Sequence, residues 1–337
     1  IEAGYPYSES LITISENLIL NGDYRGAKRL LGALLERADS DGDYFRGRVH
    51  KMLGDIHFTW GDWSRAAEEY KSAAECFQGN EAATFRISLD LGNVALQQNK
   101  WELMEEHYSR TEEHLDTEAD SGVIADIEIN RGIAWSMRGN QEKSLEHHRR
   151  ALELIEGSDQ HERLASCYLD MAVAQMDLDM LQEAIESIRI AFGHAREVGD
   201  SNLLATIYLN RARLSILMKD YMVSRFYLGK AEELLERIDN DFGRSEYLML
   251  LGIIEKKEGN PEAGIRYLGE SVELAERIHY ISNMVEAGTE LARLCMETGR
   301  REKAKSLLRD LKSTCEKADY GRELEKIKEC LKELQSE

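Results

Sequence analysis

The chain has 337 residues, with 43 Lys plus Arg against 63 Asp plus Glu and a formal charge of −20. That balance argues against nucleic acid as the principal partner, because phosphates are bound by surplus basic side chains, and it disfavours anionic lipid surfaces. At 42% hydrophobic and 31% charged the chain can bury a large core, which excludes wholesale disorder, and its two prolines, Pro6 and Pro261, fit a succession of helices rather than a turn-punctuated β-sandwich.

Five cysteines, Cys76, Cys167, Cys295, Cys315 and Cys330, form no CxxC pair, so no zinc or redox motif is offered and a reducing, cytoplasmic setting is expected. No apolar run approaches the roughly 20 residues that a bilayer-spanning helix needs. The start at Ile1 rather than Met points to a processed chain or an excised domain.

A turn signal recurs along the chain at Asn21-Gly22, Gly61-Asp62, Asn99-Lys100, Gly139-Asn140, Asp179-Met180, Lys219-Asp220, Gly259-Asn260 and Gly299-Arg300, with intervals of 39, 38 and then 40 residues. Seven residues before each turn lies a small side chain: Ser15, Gly54, Gly92, Gly132, Ala172, Ala212, Gly252 and Ala292. After each turn a second small position (Ala27, Ala66, Ser144, Ala184, Ser224, Gly264 and Ala304, with Met104 the bulky exception) is followed four residues later by a mostly large one, such as Tyr70, Tyr108, His148 or Leu268. Large groups are thus expected to fill space left by small ones between two closely approaching helices.

Between turns the apolar residues recur at three and four, as in Leu203, Ile207, Leu214 and Leu217, the stripe of an amphipathic helix. Each period reads as helix A, a short turn and helix B, with A helices near 43–60, 80–98, 119–138, 159–178, 200–218, 240–258 and 280–298. Asn260 before Pro261 reads as an N-cap with proline at the first helical position. The last segment places Leu324, Ile327, Leu331 and Leu334 on one side of a charged helix, as expected of a cap over the final core face.

Small residue, Gly-Asp-Trp/Tyr turn and Ala at this spacing resemble the tetratricopeptide repeat. Gly54, Gly61, Trp63, Ala66, Tyr70 and Ala73 carry the likeness most fully. The family's usual period is about 34 residues; the period of 40 and the missing proline at the end of helix B are departures that predict longer helices. The resemblance implies an all-α, right-handed superhelical solenoid of eight hairpins over residues 1–318, with a C-terminal capping helix at 319–337. Long-period varieties resemble spindle-orientation adaptors, bacterial peptide-pheromone sensors and the sensor domains of maltose-regulator-type signalling ATPases.

The resemblance also implies that the A helices line a concave groove. Seven basic residues fall at its groove positions, Arg48, Lys51, Arg86, Arg213, Lys256, Lys257 and Arg293, beside eight acidic ones, Glu9, Glu16, Asp55, Asp126, Asp177, Glu246, Glu286 and Glu297. Asp90, Asn130, Asp170 and Asn210 form a ladder of short polar groups at 40-residue spacing. Such groups can satisfy the backbone of an extended peptide. The same ladder could instead join neighbouring A helices, with Arg131 and Arg211 pairing Asp170 or Asp90. Between the rungs, Ile129, Ile133, Met137, Leu169, Val173, Met176, Leu209, Ile216, Met249 and Ile253 make the middle of the face apolar, the isoleucines expected in the core and the methionines in contact with a ligand. The family's clamp for chaperone carboxylates is broken, since Lys51 is followed by Asp55 and Asp90 where asparagines are required.

No HExxH, Walker loop or nucleophile elbow occurs, and His50/His57, His107/His114 and His147/His148 lack the spacing of a metal site. The expectation is therefore a non-enzymatic module without cofactor or metal. It would capture a peptide or disordered partner segment, with Arg48, Lys51, Arg86 and Arg213 engaging acidic or terminal groups and Asn93, Asn130, Asp170 and Asn210 engaging the backbone. The alternative is an effector-sensing regulatory domain of a larger signalling ATPase or transcription activator.

Overall fold

The computed structural model describes residues 5–20, 23–36, 42–115, 120–238, 240–318 and 321–336. The first expected turn, Asn21-Gly22, and residues 319–320, where the boundary before the last helix was expected, lie outside them. The chain is 85% helical, with no strand among the described residues and its helices in adjacent packed pairs. The A helices are α1 (Tyr5–Leu20), α3 (Asp43–Thr59), α5 (Glu81–Gln97), α7 (Ser121–Met137), α9 (His161–Asp177), α11 (Ser201–Leu217), α13 (Asp241–Lys257) and α15 (Ile281–Glu297). Their B partners are α2 (Tyr24–Leu35), α4 (Trp63–Cys76), α6 (Trp101–Glu112), α8 (Gln141–Ile155), α10 (Leu181–Val198), α12 (Tyr221–Leu235), α14 (Pro261–Arg277) and α16 (Arg301–Ala318), followed by α17 (Gly321–Ser336).

One residue in each described A-to-B turn adopts the left-handed conformation: Gly61, Asn99, Gly139, Asp179, Lys219, Gly259 and Gly299. This reversal lets the next N–H reach back to a carbonyl of the finished helix, as in Asp62 N to His57 O at 2.9 Å and Asn140 N to Trp135 O at 2.9 Å. Asp62, Asn140 and Asp220 then accept from the third N–H onward and start the B helix. Asn260 holds the N-cap position before Pro261 but makes no side-chain cap. Its amide instead donates to Glu255 at 2.9 Å, which turns the side chain back toward helix A.

The chain forms two compact units, Ile1–Ala119 and Asp120–Glu337. The first holds α1 to α6 and the second α7 to α17. Within both, bulky B-helix side chains occupy space left by the small A-helix residues. A Cβ on Gly54 would lie 2.5 Å from the Tyr70 ring, and one on Gly92 would lie 2.4 Å from Tyr108. The same holds in the second unit for Gly252, at 2.7 Å from Leu268. The periodicity therefore reports a real exchange of volume between paired helices.

In the second unit, A helix packs on A helix, α7 on α9, α9 on α11, α11 on α13 and α13 on α15. The largest core there runs from Ala205 to Cys330 and includes Met249, Leu291 and Leu308. α17 lies against α15 and α16 with Ile327 and Cys330 fully buried. A polar knot sits inside this core: the Asn283 amide donates to Ser245 Oγ at 2.6 Å and Ser271 Oγ at 3.2 Å, and the two serines donate to each other's carbonyls.

Candidate peptide-binding face

Groove-position charges are mostly neutralised within the protein. In the first unit Arg48 donates to both Glu9 oxygens at 2.8 and 3.0 Å and lies 3.5 Å from Glu16, tying α3 to α1. Lys51 bridges Asp55 at 3.0 Å and Asp90 at 3.6 Å, and Tyr70 donates to Asp55. Burial works against the Lys51 ammonium, but the two carboxylates outweigh it and hold its pKa above the usual lysine value. Burial in turn pushes Asp90 up to about 6 despite the pull of Lys51. Asn93 accepts from Tyr108 at 2.8 Å. Arg86 is exposed and, among the described residues, forms no hydrogen bond or ion pair.

The second unit repeats the pattern. Arg163 donates to both oxygens of Asp126, at 2.8 and 2.9 Å, from α9 to α7. Asp177 accepts from Gln141 at 2.9 Å. Arg213 on α11 bridges Glu246 on α13 and Glu286 on α15, and these carboxylates raise its pKa despite burial. Lys256 bridges Glu290 and Glu297 at 3.5 and 3.0 Å. Arg48, Lys51 and Arg213 are therefore engaged internally, and an acidic ligand would have to compete with existing ion pairs for them.

The ladder behaves unevenly. Asn210 is 5% exposed and its amide donates to Thr206 O at 3.0 Å on its own helix. Asn130 is half-buried and has partners of its own. Asp170 differs: it is half-buried on α9 and makes no hydrogen bond or ion pair among the described residues. Burial pushes its carboxyl up to about 7. The pairings considered for Arg131 and Arg211 go elsewhere, Arg131 to Glu128 at 2.8 Å and Arg211 to the Tyr227 hydroxyl at 2.8 Å. His147 also meets Glu128, at 2.9 Å, completing a triad of which Glu128 alone is buried and which the spacing of these residues did not indicate.

The apolar part of the face is corrected in two respects. Met176 and Met249 are buried, at 6% and 0% exposure, because they point into the hairpin cores. Met137 is half-buried and Ile129 buried, at 7% exposure, as expected, whereas Ile133, Val173, Ile216 and Ile253 are half-buried rather than in the core. Asp170 and Val173 lie three apart on α9, as Asn130 and Ile133 do on α7, so polar and apolar rungs share one helix face.

No family model matches this sequence, and no curated protein sequence matches it, so its likenesses are carried by structure. The apo form of the quorum sensor NprR from B. thuringiensis superposes with a TM-score of 0.68 at 14% identity, covering 90% of this chain and 86% of that one. NprR in complex with its cognate peptide NprX gives a TM-score of 0.63 at 15% identity, over 81% and 83% of the two chains. A Rap protein complexed with Competence and Sporulation Factor gives 0.61 at 16% identity, over 98% and 99%. The fold is a tetratricopeptide-type helical repeat. No described helix is long and apolar enough to cross a membrane.

Proposed function

We propose that the A-helix face of the second unit binds a peptide or a disordered segment of a partner protein, with Asp170 as its polar centre. The observation that carries this is the accounting of charge: the groove-position acids have protein partners, whereas the Asp170 carboxylate has none among the described residues. Asp170 is half-buried and partly stripped of water, as its raised pKa reflects, so a hydrogen-bond donor from a ligand would offset lost hydration. A backbone N–H, an ammonium or a guanidinium from a ligand would satisfy it, while Ile133 and Val173 offer apolar contact alongside and Asn130 a second polar rung. On the first unit, Arg86 is the cation left to meet an acidic or terminal group. The likeness to NprR, solved with its cognate peptide, supports this reading.

An effector-sensing regulatory domain of a larger signalling ATPase or transcription activator would use the same face, and the likeness to a quorum sensor favours that version of the role. Either way the proposed role is binding in the cytoplasm, without a catalytic step or cofactor. Selection from a phage-displayed random peptide library tests it. Native protein should enrich peptides that lose binding at least tenfold to Asp170→Ala and to Asn130→Ala. Failure to enrich any peptide, or enrichment indifferent to both substitutions, would overturn the proposal.

A further inference from the structure

We propose that His161 and His194 form a two-imidazole chelate for a divalent transition-metal ion of the Ni²⁺, Cu²⁺ and Zn²⁺ group, with water completing the coordination sphere. Their Nδ1 atoms lie 2.9 Å apart, between the first turn of α9 and the body of α10. Ring centroids 5.2 Å apart and planes 30° apart mean that the imidazoles meet nitrogen to nitrogen rather than overlapping. The repeat supplies its own comparison. At the place of His161 the adjoining hairpins start helix A with Ser121, Ser201 and Asp241, and at the place of His194 they carry Leu154, Leu234 and Leu274. His114 is the other imidazole at the second place, and it stacks on Phe85. The hairpin of α9 and α10 alone has histidine at both places, and its two histidines face each other. They are 33 residues apart on different helices, so no motif spacing discloses them.

Neutral imidazole nitrogen is a preferred ligand for ions of this class. Two metal–nitrogen bonds of about 2.05 Å hold their nitrogens about 2.9 Å apart at a right angle and about 3.3 Å apart at a tetrahedral one. The pair therefore already has the separation of two adjacent ligands. At 2.9 Å one ring donates through Nδ1 and the other accepts. For an ion to enter, the donating ring moves that proton to its own Nε2, a change of tautomer without a change of charge, and both lone pairs turn toward the metal. Both side chains are half-buried, so an ion can reach them from solvent. Their surroundings favour a cation. Glu197, three residues beyond His194, bears on the same imidazole. Tyr168 stacks on His194 with the planes 10° apart and donates to the Glu156 carboxylate at 3.1 Å. No third His, Cys, Asp or Glu joins them in a metal-holding cluster among the described residues. The site is therefore an exchangeable one, and its ion would pin the start of α9, the helix that carries Asp170, to α10.

Isothermal titration of the tag-free full chain with NiCl₂ tests this. Native protein should take up Ni²⁺ at a site that His161→Ser and His194→Leu each weaken at least about tenfold, or about 1.4 kcal/mol. Both substitutions install the residue of adjoining repeats, so the helical spectrum should stay unchanged, and His114→Ala should bind as the native chain does. Absence of uptake with Ni²⁺ raised to about 1 mM would overturn the proposal. Uptake lost in one variant and kept in the other would reduce the site to a single imidazole and overturn the chelate. Uptake indifferent to both substitutions would put the ion on other side chains and overturn it equally.

Discussion

A Cβ placed on Gly132 would lie 2.6 Å from the imidazole Cε1 of His148. Helix α7 thus approaches α8 at a point where only a hydrogen fits. Alanine in a helix interior is ordinarily better than glycine by about 1 kcal/mol. Gly132→Ala should nevertheless destabilise the protein by about 1–3 kcal/mol, because the clash outweighs propensity. Urea denaturation followed by circular dichroism measures this. Adding His148→Ala should make the double variant less unstable than the sum of the singles, and strict additivity would contradict the pairing.

The same His148 carries a pH dependence. It is 1% exposed, its Nδ1 has no hydrogen-bond partner among the described residues, and burial, with His147 nearby, lowers its pKa to about 4. The unfolded chain therefore binds a proton between about pH 6.5 and 4 that the folded chain refuses, so stability falls as pH drops through that window. The contribution reaches about 3 kcal/mol at its lower end. In His148→Phe, which mimics the Tyr70 and Tyr108 of earlier repeats, the melting temperature should fall less steeply between pH 7 and 4 than in the native protein.

Asp170 has the opposite sign. Its folded pKa lies above the ordinary carboxylate value, so the folded state holds the proton more tightly and stability declines as pH rises from about 4 to 7. Asp170→Asn should then stabilise the protein at pH 8 by about 1–2 kcal/mol, allowing for partial solvent access, with little gain at pH 4. Destabilisation at both pH values would mean that the carboxylate has a structural partner and no spare capacity for a ligand.

Backbone strain gives a fourth test. Lys219 sits at φ 62°, where four of the six other described turns use glycine, at Gly61, Gly139, Gly259 and Gly299, and two use Asn99 and Asp179. Lys219→Gly should raise stability by about 0.5–1 kcal/mol, whereas Gly259→Ala should lower it by about 1 kcal/mol. Thermal melts of the two variants should move in opposite directions.

These residues also show how far a repeat can be read from sequence. The A helix anticipated near 119–138 runs from Ser121 to Met137, and that near 43–60 from Asp43 to Thr59, because the turn and the small-residue position recur at a constant interval. The family resemblance likewise put Arg213, Glu246 and Glu286 at groove positions. It could not say that they join one another, since their union depends on side-chain reach across three stacked helices. The burial of Asn210 and the Ser245–Ser271–Asn283 knot were illegible for a related reason. Short polar residues inside a helix carry no signal of which neighbour will cover them. Asp170 was legible as a rung, but its isolation emerged only once every surrounding cation had been assigned.

Hydrogen–deuterium exchange with a library-selected peptide bound tests the central claim most directly. Protection should rise on α7, α9 and α11, strongest around Asn130 and Asp170, and remain unchanged on α8, α10 and α12. Protection confined to the B helices, or persisting in Asp170→Ala at unchanged affinity, would contradict binding on the A-helix face.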